Sequence, residues 1–434
     1  MTAQPHLSTD DIQRAVALPP PVVDVRRTVL PNGVRVLTDR VAGAASVTLA
    51  VWAGIGGRDE SAERAGSSHF LEHLLFKGTE RRNALDIALE IDGVGGDMNA
   101  YTSSEYTAYY ARVPASEYDV ASEILLDVVA EPALRPGEFD GEREVILEEL
   151  AAADDDPEDL VGVRLFEALF PGDPLGREVL GSVGSIEALT RDDVATFFGD
   201  WYCPTNLVVT GSGLVDHDRL VEEVAERFGS APSGRSPRRA TPPPAVTATV
   251  RDDRGGELAH LALGWRTRGA LHADRFALTV LNHVLGSGPS SRLFQTVREE
   301  RGLTYSIVSG LTQYSDAGAL TVQCATGTAK AAELLEVGEA QVEELRRNGI
   351  RPDELDRAKR SLRGALVLGL EDPSSRGARL GISETVRGEV VPVARHLELI
   401  DAVGVDDVAA AAAEVFGSPR VLSVVGPGGL EHLV

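Results

Sequence analysis

Leu71-Glu72-His73-Leu74-Leu75-Phe76-Lys77-Gly78 returns, 210 residues later, as Leu281-Asn282-His283-Val284-Leu285-Gly286-Ser287-Gly288. Further out, Arg135-Pro136-Gly137-Glu138-Phe139-Asp140 matches Arg351-Pro352-Asp353-Glu354-Leu355-Asp356 at 216 residues, and Asp156-Pro157 matches Asp372-Pro373 at the same offset. Asp192-Asp193-Val194 then answers to Asp406-Asp407-Val408. Short matches in one order at a nearly constant offset identify a duplicated domain of roughly 200 residues. Each copy reads as strands, a short buried helix, more strands and long helices such as Pro136–Ala153 and Ala331–Arg347, closing on a β run (Leu207–Thr210; Val421–Val425). That mixture predicts an α+β fold of two homologous domains, each a mostly antiparallel sheet with helices packed on one face.

Between the copies, Ser230 to Ala245 (SAPSGRSPRRATPPPA) carries no apolar periodicity and reads as a linker. The chain is expected to divide into a Pro-rich arm (residues 1–24), a first domain (25–229), a linker (230–246) and a second domain (247–434). Early in the first domain the β-rich runs Val34–Thr38 and Ala45–Ala53 predict a hairpin.

The 434 residues are enough for a large core without staples, and 43% hydrophobic with 25% charged residues is an ordinary globular balance. A net charge of −25 repels phosphates and anionic lipid, which argues against nucleic-acid and membrane partners. The same charge raises the expectation that basic peptides are attracted. Only Lys77, Lys330 and Lys359 are lysines, so nearly all positive charge is Arg, a bias read as genomic before functional. Two cysteines, Cys203 and Cys324, cannot form a disulfide framework or a thiolate metal site. Met1 to Asp11 has no apolar stretch of the secretory kind, and the run Ala42 to Gly57 is too short to span a bilayer. A cytoplasmic location is expected.

His69-Phe70-Leu71-Glu72-His73 sets two imidazoles four residues apart with a carboxylate three after the first. On a helix these positions share one face, so both His can meet one ion while Glu72 stands beside it. Ser67 or Ser68 can cap such a helix and Gly78 can end it, and the spacing is the H-x-x-E-H pattern of inverzincins. A zinc hydrolase needs a third protein ligand and an open position for water. The helix Pro136–Ala153 offers Glu138, Glu142, Glu144, Glu148 and Glu149, of which Glu142 and Glu149 lie seven apart on one stripe. In the second copy Glu72 becomes Asn282, Glu142 and Glu149 become Ala358 and Ala365, and His69 becomes Thr279. The carboxylates are lost together, as expected of groups that act together, and His283 reads as a core histidine.

From about Val25 onward the chain resembles the pitrilysin/insulinase metallopeptidases, especially short bacterial members akin to the mitochondrial processing peptidase. The likeness lies in Leu30-Pro31-Asn32-Gly33-Val34, His69–Thr79 (HFLEHLLFKGT), Asn99-Ala100-Tyr101-Thr102, Glu142–Glu149 (EREVILEE) and Ser291–Ser306 (SRLFQTVREERGLTYS). The resemblance implies His69, His73 and Glu149 as ligands of one zinc per chain, Glu72 as general base and Glu142 as a supporting carboxylate. It also implies a substrate-contacting pair, Arg298 and Tyr305, in the second domain, and an edge strand at Asn99–Thr102 along which a peptide substrate pairs. Long relatives enclose substrate between four such domains, so two domains imply a homodimer that completes its sites across a two-fold axis. The alternatives weighed are a non-catalytic peptide-binding or scaffold subunit, and nucleotide binding at Gly54–Gly57 or Gly286–Gly288, which fit no phosphate-loop spacing.

Overall fold

The computed structural model describes residues 23–433, so the expected N-terminal arm lies outside the described residues except for Val23 and Asp24. The first sheet contains β1 (Val25–Val29), β2 (Arg35–Arg40), β3 (Ser46–Ala53), β4 (Asp97–Thr102), β5 (Thr107–Pro114) and β6 (Leu207–Gly213), in the order β1-β2-β6-β3-β5-β4. Only the β2–β6 pair is parallel. The second contains β7 (Ala248–Asp253), β8 (Leu258–Arg268), β9 (Ile307–Gln313), β10 (Ala317–Gly327) and β11 (Arg420–Gly426), in the order β7-β11-β8-β10-β9, again with one parallel pair, β7–β11. The α+β class and the duplication read from the sequence are thus the architecture observed. No helix among the described residues is long and apolar enough to cross a membrane.

The hairpin expected between β2 and β3 is not there. β6, from the far end of the domain, lies between them, parallel to β2 and antiparallel to β3. All seven β6 residues are buried, and a strand apolar on both faces is stable only in mid-sheet. β2 makes its hairpin with β1 instead, turning through Gly33 at φ +107°.

One face of each sheet carries that domain's own helices and a continuous core. In the first domain Leu71, Leu74, Leu125, Ile146 and Val224 pack onto Val36, Leu49, Val51 and Val209. The opposite faces are apolar too, and each is covered by a helix from the other domain. Helix Pro157–Leu169 sends Leu160, Val161, Leu165 and Leu169 against Ala262, Ala319, Val421 and Val425 of the second sheet. Helix Pro373–Ile382 returns the exchange, laying Leu380 on Leu37, Ala50, Trp52 and Val208 of the first. Asp156 and Asp372, singled out by the repeat, are the N-caps of these two helices, each accepting a backbone N–H with its carboxylate. Each buried Leu, Val or Phe in these contacts contributes roughly 1.5–3 kcal/mol.

Ion pairs with at least one buried member fix the register of the exchange. Arg376 donates to Asp39 at 2.9 Å, Arg27 pairs Glu384 at 2.8 Å, and Arg58 reaches both Glu105 and Asp316 at 2.6 Å. Removing one member of such a pair strands a buried charge, at about 3–5 kcal/mol. The segment between the domains has no regular structure before β7, but Arg239 ties it to Asp59 at 2.8 Å.

Candidate metal centre

The motif forms helix Ser67–Leu75, whose Phe70, Leu71, Leu74 and Leu75 face the core while His69, Glu72 and His73 share the opposite side. Its start differs from expectation: the N-cap is Gly66, at φ +92°, and no serine side chain caps it. Glu60 does so instead, accepting from the amides of Gly66 at 2.7 Å and Ser68 at 2.6 Å. Burial pushes the Glu60 carboxyl up to about 7, against the pull of those amides and of Arg177. A side chain at position 66 would strike Ile186 and the Leu180 carbonyl, so the chain enters the helix by one path. Gly78, at φ +115°, completes the turn beyond the helix.

The second wall is helix Pro136–Asp155. Phe139 stacks on Phe70, ring centroids 4.3 Å apart, and buried Ile146 locks the two helices together. Two helical turns separate Glu142 from Glu149, about 10.5 Å along the axis, so they approach His73 from opposite ends of its ring. Glu142 Oε2 lies 3.0 Å from His73 Nδ1, and Glu149 Oε2 lies 3.6 Å from the Nε2 atoms of both His73 and His69. The donor atoms of His69, His73 and Glu149 all fall within 4.8 Å of one another. Two ligands about 2.1 Å from one tetrahedral ion stand roughly 3.4 Å apart, so the trio fits zinc. Burial, with His73 nearby, lowers His69 to about 4, which keeps its ring neutral and able to ligate at neutral pH. Glu148, the neighbour that spacing alone could not discard, is absent from this cluster.

Glu72 is not part of the trio either. Thr102 Oγ1 donates to its Oε2 at 2.5 Å and holds the carboxylate beside the cluster. Burial raises the Glu72 carboxyl above the usual range, opposed by the Thr102 hydrogen bond. β4 ends its sheet, its outer edge unpaired among the described residues, and its side chains alternate. Ala100 packs toward the core and Thr102 toward Glu72, whereas Tyr101 meets Trp52 and Tyr106 on the other face. Asn99 turns its Oδ1 onto the Ala100 amide at 2.8 Å. Of the expected strand, Thr102 therefore has a task that sequence reasoning did not foresee, positioning Glu72.

Arg298 and Tyr305 are brought together but apart from the trio. The Arg298 guanidinium lies over the rings of Phe294 (4.4 Å) and Tyr305 (5.1 Å), and Tyr305 is 86% exposed. Sequence reasoning also missed Lys77, whose Nζ meets Glu142 Oε1 at 2.5 Å. Its rarity as a lysine in an Arg-rich chain was the available signal.

Residues 35–183 match the family of insulinase peptidases (peptidase family M16), and residues 188–362 match the domain described as the inactive domain of M16 peptidases. A Mycobacterium tuberculosis protein described as an uncharacterized zinc protease is 43% identical over 425 residues, 96% of each chain. One from Bacillus subtilis with the same description is 33% identical over 405 residues, 93% of this chain and 99% of that one. In fold, a Helicobacter pylori protease of known crystal structure superposes with a TM-score of 0.88 at 24% identity, over 94% of this chain and 100% of its own. An M16 inactive-domain protein of Pseudomonas fluorescens does so with a TM-score of 0.85 at 20% identity, over 93% and 98%. The chain belongs to the insulinase family, a family of peptidases.

Proposed function

We propose that the protein is a zinc-dependent endopeptidase cutting peptides or unfolded polypeptide segments inside a chamber formed by a homodimer. The observation that carries this reading is the convergence of His69 Nε2, His73 Nε2 and Glu149 Oε2, with a second carboxylate, Glu72, held outside the trio. Bound there, Zn²⁺ would polarise the scissile carbonyl and acidify a water. Glu72 takes the proton of the attacking water and returns it to the leaving amine, and its raised pKa brings acid and base forms closer to working pH. Thr102 keeps the reactive carboxylate aimed. The open edge of β4 receives the substrate backbone as an added strand, a sequence-tolerant mode of binding. Arg298 and Tyr305, which make none of the trio's contacts among the described residues, serve the trio of the partner subunit. The acidic surface favours basic substrates.

The test is metal analysis with a peptide-cleavage assay. Purified protein should hold about one zinc per chain, lose activity to a chelator and regain it with zinc. Protein that stays zinc-free after reconstitution, or cleaves equally well without it, overturns the reading.

A further inference from the structure

Of the 42 basic residues only three are lysines, and one of those three stands at the metal centre. Lys77 follows the motif helix with its backbone fixed at both ends, its N–H donating to the Leu74 carbonyl and its own carbonyl accepting from Arg135. Its ammonium meets one oxygen of Glu142, Oε1, at 2.5 Å, while the other, Oε2, is 3.0 Å from His73 Nδ1. Glu142 is 7% exposed, and a carboxylate so buried needs a fixed cationic partner. In the second domain the links to the histidine are gone: Lys77 and Glu142 are replaced by Ser287 and Ala358, while His73 survives as His283.

We propose that Lys77 is a positioning residue for the metal centre: it claims Oε1 of Glu142, leaving Oε2 to hold His73 with Nδ1 protonated and Nε2 turned to the cation. The inference rests on the zinc reading above. Support from a carboxylate fixes both the tautomer and the orientation of a ligating imidazole. His69 has no such support among the described residues, where its Nδ1 is buried without a hydrogen-bond partner. The orientation of the imidazole pair therefore depends on His73, and through Glu142 on Lys77. The choice of lysine follows from geometry. An ammonium is a compact point charge that binds one oxygen, whereas a guanidinium forks onto both oxygens of a carboxylate and would compete with His73 for Oε2. Elsewhere the chain uses arginine for nearly every cation.

The experiment compares Lys77→Met and Lys77→Arg in the wild-type and Glu142→Gln backgrounds, measuring zinc affinity by competition with a chromophoric chelator alongside kcat and KM. Lys77→Met is expected to weaken zinc binding by about 10–100-fold, with kcat falling comparably and KM nearly unchanged. Lys77→Arg should also be impaired, though less. In the Glu142→Gln background Lys77→Met should add less than about twofold, because its route to His73 is already cut. Lys77→Gln, which keeps a donor without the charge, replaces the Met variant should that variant fail to fold. Wild-type zinc affinity and kcat in the Lys77 variants, or a loss of equal size in both backgrounds, overturns the proposal. Wild-type protein that takes up no zinc defeats the zinc reading instead, which separates the two failures.

Discussion

The two domains share a frame and differ in what stands on it. In the first, helices Ser67–Leu75 and Pro136–Asp155 pack together and present His69, Glu72, His73, Glu142 and Glu149. In the second, the corresponding helices Arg275–Gly286 and Pro352–Gly369 pack in the same way but present Thr279, Asn282, His283, Ala358 and Ala365. The apolar positions survive in both, since Leu278, Leu281 and Leu285 are as buried as the leucines of the motif helix. Burial maintains the frame, and the two domains differ at a few polar positions that can change without disturbing it. The second domain carries its own distinctive pair, Arg298 and Tyr305, on a surface outside the frame.

Paired substitutions sharpen the comparison. Glu72→Gln should lower kcat by about 10²–10⁴-fold with zinc retained, as for loss of a general base, while Asn282→Ala at the matching position leaves kcat unchanged. Equal effects on the two sides would break the assignment of roles. Mixing Glu72→Gln with Arg298→Ala protein under subunit exchange should restore about a quarter of wild-type activity, because half of the dimers then carry one intact site of two. No recovery refutes assembly of the site across subunits.

The next effect concerns Glu60 at the head of the motif helix, whose counterpart by the 210-residue offset is Ala270. Its folded pKa of about 7 exceeds the ordinary 4.5, so the folded state binds the proton more tightly than the unfolded state between those values. The stability it contributes is fully present below pH 4.5 and fades as pH rises to 7, by about 3 kcal/mol in all. Denaturant titrations should show that extra decline in wild type and not in Glu60→Gln; parallel curves would contradict it.

The smallest contrast lies between the exchanged helices. A Cβ on Gly381 would fall 1.9 Å from the Trp52 indole, whereas one on Gly162 meets only the end of the Gln323 side chain at 3.0 Å. Gly381→Ala should destabilise by about 1–3 kcal/mol through overpacking. Gly162→Ala should fall within about 1 kcal/mol of neutral, since helix propensity favours Ala. Thermal unfolding that ranks them the other way would mean the two helices are not equivalent roofs.

The duplication, the motif helix and the facing Glu-bearing helix were legible because each rests on periodicity or on a repeated text, whereas the edge strand at Asn99–Thr102 was legible only through the family resemblance. Asp156-Pro157 and Asp372-Pro373 were visible as a repeated pair, though neither their capping of the exchanged helices nor what those helices cover was. An apolar strand announces that both its faces are buried without saying by which partner. For the same reason β6 went unplaced between β2 and β3. Glu60, Thr102 and Lys77 escaped because each acts across a gap of several to some sixty-five residues that only folding closes. Spacing could place Glu148 and Glu149 side by side, the resemblance pointed to Glu149, and the geometry of the cluster includes Glu149 alone.

The reciprocal roofing also ties the second domain to the first at full length. Deleting the second would lay bare Leu37, Ala50, Trp52, Ala108 and Val208, a continuous oily floor that water would drive into aggregation. Having once been built as each other's lid, the twins could divide their labour but could no longer be divorced.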